Sequence, residues 1–450
     1  MNILGKLKNI YGNFQSKDEV LKFVVLGVTF FLIIATYWSL RPLKDTLFNA
    51  TVGFGKWQPI AKLISMITVF PIVMAYSKLI DIFKKEQVFY ILVAFYTVTA
   101  LLFAWGFTHP TIGLANPVIG GHRWLGWLWY LWVESFGSMI VALFWAYTTD
   151  ITNPQSARRG FPLIALLGQF GNFMGPLTLD RMTRGLFNNN YSYTLIVTAV
   201  LIFLIGIMIA LFNKIVPSSE RQVYRPAGES HTEPGFLEGL KLVIKTPYLL
   251  SIFLIITIFE IIVTTFDYLF KANVTELYPT EAGAWLFSYA YTTGLVAFLC
   301  VLFGINNIQR KLGMKVSLIV TPLLVAGAVV LSVVYGNVYL FFWIMVFSKA
   351  VNYALNQPTL KQLYIPTSED AKYKSQAWIE MFGSRGSKGT ASAFNTLRAS
   401  FAKWFGSSGN IAFMMMFASL SLGLIACWIP VAIYAARKYN KAVDTDSVVC

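Results

Sequence analysis

The chain has 450 residues, 56% of them apolar and only 13% charged, about half the charged fraction of roughly 25% typical of soluble globular domains. Its apolar runs approach the ~20 residues a helix needs to cross a bilayer, which excludes a soluble fold and also a β-barrel, whose strands alternate over about 10 residues. A net charge of +15, from 36 basic and 21 acidic residues, suits a nucleic-acid binder only if the distribution of the charge has no other cause.

In chain order, membrane-spanning helices are expected near 22–40, 57–80, 88–108, 124–148, 161–179, 191–213, 247–270, 282–305, 316–335, 339–357, 376–401 and 411–436. The stretch before the first of these is polar and the first apolar run is of full spanning length, so no cleaved signal is expected. The second, fifth and eleventh spans are the least apolar, with Lys62 in the second, several glycines in the fifth, and Glu380, Arg385 and Lys388 in the eleventh. A polar helix of that kind is tolerated where it is buried among others and lines water. The longest polar interruption, 214–246, contains Pro217, Pro226 and Pro234 and reads as a linker between two sets of six spans, 1–213 and 247–450. The predicted fold class is therefore an all-α membrane protein with twelve transmembrane helices in two six-helix halves.

Basic residues cluster on alternate connections. Lys17, Lys78, Lys84, Lys85, Arg158, Arg159, Lys214, Lys241, Lys245, Arg310, Lys311, Lys361, Arg437 and Lys438 fall on one side, whereas Arg41, Lys44, Lys56, Arg123, Arg181, Arg184, Lys271 and Lys403 fall on the other. The positive-inside rule then places both termini in the cytoplasm, which only an even number of spans permits. Topology and contact with anionic lipid account for the basicity, so no nucleic-acid partner is expected. The simplest location is a bacterial inner membrane. Cys300, Cys427 and Cys450 have no disulfide or metal-binding spacing, and His109, His122 and His231 form no ligand cluster, so no metal or cofactor is expected.

The chemistry lies in charges at or inside the ends of spans: Lys44, Glu134, Asp267, Lys271, Arg385 and Lys388. A charge at the bilayer centre costs roughly 2.5 to 3.5 kcal/mol even on the lenient insertion scale, so such residues face an aqueous cavity or a partner. Lys44, Arg385 and Lys388, with Lys271 next, are the candidates to hold a charged substrate; arginine suits bidentate contact to phosphate oxygens, and lysine serves as a mobile point charge. Glu134 and Asp267 repel phosphate. Each either pairs with a basic residue in the empty protein and releases it on substrate arrival, or forms a permanent bridge, or, for Glu134, carries a proton. Two glycine patterns echo each other across the halves, Gly168, Gly171 and Gly175 in the fifth span and Gly383, Gly386 and Gly389 in the eleventh; such spacing serves either helix packing or the surroundings of a ligand. The aromatics, including Trp124, Trp127, Trp129, Tyr130 and Trp132, suit interfacial belts and packing.

Leu40-Arg-Pro-Leu-Lys44-Asp45, Trp132-Val-Glu134-Ser-Phe-Gly-Ser138, the 364–374 segment Tyr-Ile-Pro-Thr-Ser-Glu-Asp-Ala-Lys-Tyr-Lys, and Gly386-Ser-Lys388-Gly389 occur in the order of the bacterial and plastid nucleotide transporters. From about Phe30 to Ala436 the chain resembles that family, the ATP/ADP translocases of intracellular bacteria. The resemblance implies a major facilitator-like fold with substrate bound between the halves, ATP and ADP as substrates, transport without covalent chemistry, and functional roles for Lys44, Glu134, Asp267 and Lys388. Two positions depart from the family pattern: Asp267 stands where Glu is usual, with Lys271 retained, and Gln357-Pro-Thr-Leu360 replaces an Asp-Pro-Thr-Lys segment. ATP/ADP exchange is the leading expectation. Proton-coupled nucleotide uptake, exchange of GTP or NAD, and a membrane-embedded enzyme are the alternatives, and the last lacks a convincing acidic or nucleophilic cluster. With both halves in one chain, a functional monomer is expected.

Overall fold

The structure, a computed structural model, describes residue 14 and residues 16–221, 236–302, 306–367, 375, 378–379, 383–445 and 447–449. Most of the predicted linker centre, the start of the eleventh span with Glu380, and 368–374 of the quoted segment lie outside these residues.

The helices run in the order α1 (Lys17–Thr51), α2 (Gln58–Ile82), α3 (Lys85–Thr108), α4 (Trp124–Asp150), α5 (Pro154–Arg181), α6 (Tyr191–Ile215), the short α7 (Phe236–Lys245), α8 (Pro247–Leu277), α9 (Ala282–Leu302), α10 (Asn306–Tyr335), α11 (Val338–Val351), α12 (Gln357–Leu363), α13 (Ser384–Phe405) and α14 (Gly409–Asp444). Each predicted span overlaps one of these helices, except that the tenth, 339–357, runs from α11 through a π turn into α12, and the eleventh coincides with α13 only from Ser384. Eight helical stretches among the described residues are long and apolar enough to cross a membrane, the last being Ser384–Asp444, which joins α13 and α14. Neither α2 nor α5 is among the eight, as expected for the least apolar spans, and α11 is apolar but shorter.

Helices follow from the solvent: in hydrocarbon every backbone N–H and C=O needs an internal partner, and an α-helix supplies all of them within one segment. Their starts are chemically marked. The Ser16 hydroxyl accepts from the Glu19 amide at 3.0 Å, and Asn153, Asn190 and Asn337 cap α5, α6 and α11 in the same way. Several helices outrun the sequence expectation, and in two of them the extension takes in a candidate residue. The helix α1 continues through Pro42 to Thr51, so Lys44 lies inside it, and α8 continues to Leu277, so Lys271 does too. Proline is tolerated in such helices because local adjustment and neighbouring groups satisfy the freed carbonyl. The predicted tenth span, by contrast, changes form: α11 ends at Val351, Asn352–Asn356 is a π turn, and α12 begins at Gln357. Pro358 has no N–H to give a carbonyl one turn back, and a widened turn accommodates that loss.

The chain divides into two compact units. Unit 1 comprises Met1–Phe54, Ile67–Glu229 and Thr280–Phe298; unit 2 comprises Gly55–Met66, Ser230–Pro279 and Leu299–Cys450. Each unit therefore includes a segment from the far side of the central connection.

Unit 1 packs α1 along α5 through glycine. A Cβ at Gly171 would lie 2.5 Å from the Phe31 carbonyl oxygen, and one at Gly175 would overlap the backbone at Ala35. The opposite approach is as tight, since a Cβ at Gly294 of α9 would lie 2.7 Å from the Asn172 carbonyl oxygen. The glycines of the fifth span are thus packing residues. An aromatic cluster of Tyr96, Phe103, Trp129, Trp132 and Phe136 joins α3 to α4; the Trp132 indole N–H donates to the Thr99 hydroxyl at 2.7 Å and the Tyr96 and Ser135 hydroxyls are 2.8 Å apart, whereas the buried Trp129 indole N–H has no hydrogen-bond partner among the described residues. Unit 2 centres on Phe266, which meets Phe417 edge-on at 5.0 Å and Phe341 at 6.1 Å.

Outward faces are apolar. On α3 the exposed side chains Ile91, Phe95, Val98, Leu102 and Trp105 recur every three or four residues, and on α6 Tyr193, Ile196, Val200, Phe203 and Ile207 do the same. Stripes of this size are rare on soluble proteins and suit contact with lipid.

Candidate functional site

In unit 1 the site is built by α1 and α4. Lys44 projects from α1 with its side chain 6% exposed, and its ammonium donates to the Glu134 carboxylate, which is 35% exposed. Tyr130, one turn before Glu134 on α4, lies under the same ammonium with its ring centroid at 4.1 Å, and Asp45 is at 3.8 Å. Lys44 is therefore enclosed by a carboxylate, a π face and a second carboxylate, and Glu134 is the more accessible partner. One turn earlier on α1, the Arg41 guanidinium lies 4.9 Å from the Trp38 ring and 5.7 Å from the Tyr37 ring.

In unit 2 the helix α8 carries three acids, each matched to a base on another element. Glu260 lies 3.5 Å from the Lys388 ammonium and accepts from the Ser384 hydroxyl at 3.1 Å, both partners being on α13. Asp267 accepts from Lys349 of α11 on Oδ1 at 2.8 Å and from Lys271 of its own helix on Oδ2 at 2.9 Å. Glu276 takes both arms of Arg398, the last buried base of α13, at 2.8 Å each. Next to this fork, the Tyr268 hydroxyl donates to the Gly55 carbonyl at 2.5 Å. Arg398 is 7% exposed and Lys388 is 42% exposed, so α13 is tied down at one end and open at the other. Arg385 is exposed and forms no ion pair with a described residue.

The residues singled out from sequence thus fall into two groups within unit 2, Lys388 with Arg385 on α13 and Asp267 with Lys271 on α8, while Lys44 and Glu134 meet in unit 1. Sequence reasoning missed Lys349, Glu260 and the Glu276–Arg398 fork. Lys349 and Glu260 were visible as single charges inside the predicted tenth and seventh spans, the same signal that marked Glu134. No group of acidic, histidine or cysteine side chains able to hold a metal occurs among the described residues.

The fold is that of major facilitator-type membrane transporters. The nucleoside transporter NupG superposes with a TM-score of 0.62 at 13% identity, covering 91% of this chain and 98% of that one. A bacterial homologue of the iron transporter ferroportin, in its inward-facing state, superposes with a TM-score of 0.64 at 12% identity, covering 93% and 100%. Within that class the sequence is more specific. The family model described as TLC ATP/ADP transporter matches residues 7–118, 107–342 and 326–439, and the chain belongs to that family. ADP,ATP carrier protein 1 of Rickettsia prowazekii (strain Madrid E) is 27% identical over 500 residues, covering 98% of this chain and 96% of the relative, and ADP,ATP carrier protein 3 of Rickettsia bellii (strain RML369-C) is 24% identical over 460 residues, covering 87% and 90%.

Proposed function

We propose that this chain exchanges ATP for ADP across a bacterial inner membrane by alternating access, as a monomer with both termini in the cytoplasm. The observation that carries the reading is the match to an ATP/ADP transporter family over nearly the whole chain, combined with carboxylate-held lysines at the intramembrane positions that the family resemblance marks.

A nucleoside polyphosphate brings about three or four negative charges, and in a site less polar than water its attraction to lysine is several-fold stronger than in bulk. In this reading Lys44, Lys271, Arg385 and Lys388 hold the phosphates. Glu134 and Asp267 occupy lysines while the carrier is empty, which avoids buried unpaired charge, and they yield to the substrate. ATP and ADP stabilise the same released state of the carboxylates, and the conversion between inward and outward forms is coupled to that occupancy. No bond in the nucleotide is made or broken, so the reading assigns no enzymatic activity.

The test is counterflow. Proteoliposomes containing the full chain, loaded with unlabelled ADP or with buffer, are given labelled ATP. Uptake that requires internal ADP and is lost in Lys44→Ala and Lys388→Ala supports exchange at these lysines. Uptake into empty vesicles that follows an imposed pH gradient would replace it with proton-coupled import.

A further inference from the structure

We infer that Lys349 is a further substrate-binding cation of the transport site, held by Asp267 in the empty carrier and passed to the phosphates when nucleotide binds. The inference rests on the nucleotide-exchange reading and adds to it a residue on a different helix from those already assigned.

Three observations carry it. The first is the sharing of one carboxylate: Asp267 already has a cation from its own helix, Lys271 at i+4, and Lys349 of α11 takes the other oxygen at 2.8 Å. A bridge serving only to fasten α8 to α11 needs one lysine; two ammoniums on one carboxylate make an arrangement that a more highly charged anion can enter by displacement. The second is position. Asp267 lies seven residues after Glu260 on α8, so the Glu260–Lys388 and Asp267–Lys349 pairs fall on one stripe of that helix, about 10 Å apart along its axis. A single nucleotide can span that interval. The third is the backbone beyond Lys349, where the π turn Asn352–Asn356 begins one residue after α11 ends and buries the Asn352 and Asn356 side chains, their amides bonded at 2.8 Å. A π turn carries an alternative hydrogen-bonding register within a helix and is frequent at functional sites, so the end of α11 that bears Lys349 has a ready means of local adjustment. Lysine, a point charge on a flexible stem, suits such a transfer better than a planar guanidinium.

The experiment compares wild-type protein with Lys349→Met, Lys349→Arg, Asp267→Asn and the double variant Asp267→Asn/Lys349→Met in ADP-loaded and ATP-loaded proteoliposomes, measuring KM and maximal rate for ATP and for ADP. Loss of one charged phosphate contact is expected to raise the KM for ATP about tenfold or more in Lys349→Met, with a smaller rise for ADP. Lys349→Arg is expected to retain transport with an altered ratio of the two KM values, and the double variant is expected to keep the raised KM. An unchanged KM in Lys349→Met, or its return to the wild-type value in the double variant, would overturn the inference and leave a structural ion pair. If Lys349→Met cannot be purified folded, an unchanged KM ratio in Lys349→Arg overturns it instead. Wild-type protein that exchanges neither nucleotide refutes the transport reading itself, a result distinct from failure of the variant comparison.

Discussion

The helices α5 and α13 carry the same kind of sequence, small and polar residues with glycines at three- and four-residue intervals, yet they are used in opposite ways. On α5 the glycines are consumed by packing: Gly168 lies against the Phe30 ring, and Gly171 and Gly175 meet the backbone of α1. On α13 Gly386 has open space where a Cβ would be, while Gly389 only makes room for the Met66 thioether. The cations follow suit. Arg385 and Lys388 emerge from the more open part of α13, Lys388 at 3.5 Å from Glu260, whereas Arg398 is held by both oxygens of the Glu276 carboxylate. A glycine repeat in a membrane helix therefore states that something comes close, and the neighbour decides whether it is another backbone or a ligand.

The largest effect should come from the tethered end of α13. Glu276→Ala leaves the buried Arg398 guanidinium without its fork; with the Glu276 side chain 48% exposed, the loss is that of charge-assisted hydrogen bonds, about 1.5 to 3 kcal/mol, so the melting temperature of the detergent-solubilised protein should fall clearly. A melting curve unchanged from wild type would mean that α13 is held by apolar packing instead.

Next is the open end. Lys388→Ala removes a half-exposed ammonium 3.5 Å from Glu260, whose carboxylate keeps the Ser384 hydroxyl bond, so melting should fall less than in Glu276→Ala, while the apparent affinity for ATP in counterflow should fall by a factor equivalent to about 1.5 to 3 kcal/mol. Equal loss of fold and transport would contradict the contrast between the two ends of the helix.

Smaller again is the packing of α5. Gly171→Val forces a branched side chain onto the Phe31 carbonyl, an overpacking cost of about 1 to 3 kcal/mol, visible as reduced yield and a lower melting temperature. The smallest effect is at the corresponding open position: Gly386→Ala meets no neighbour and should change stability by no more than about 0.5 kcal/mol in either direction, or slightly stabilise the helix. Its transport kinetics then report whether the space beside Gly386 is used by substrate.

Much of the candidate site was legible because a charge in an apolar run is conspicuous. Lys44, Glu134, Asp267, Lys271, Arg385 and Lys388 each announced themselves this way, and the Glu134 partner could be restricted to a base. What remained hidden was pairing. Lys349 and Glu260 lie 89 positions apart in sequence, and nothing local shows that each faces a charge brought by another helix: Lys349 meets Asp267, and Glu260 meets Lys388. The Glu276–Arg398 fork was overlooked for a further reason, since Glu276 lies beyond the predicted end of its span and became part of a helix only because α8 continued to Leu277.

The amino-acid sequence alone determined the all-helical membrane class, the approximate position of each span and the need for intramembrane charge, because hydrocarbon imposes length, apolarity and internal hydrogen bonding on every segment separately. Tertiary structure decided which glycines are filled by backbone, which carboxylate holds which lysine, and that Asp267 bonds both Lys271 and Lys349. Those outcomes depend on approach between helices far apart in the chain, where a shift of a few ångströms converts an ion pair into an unpaired charge.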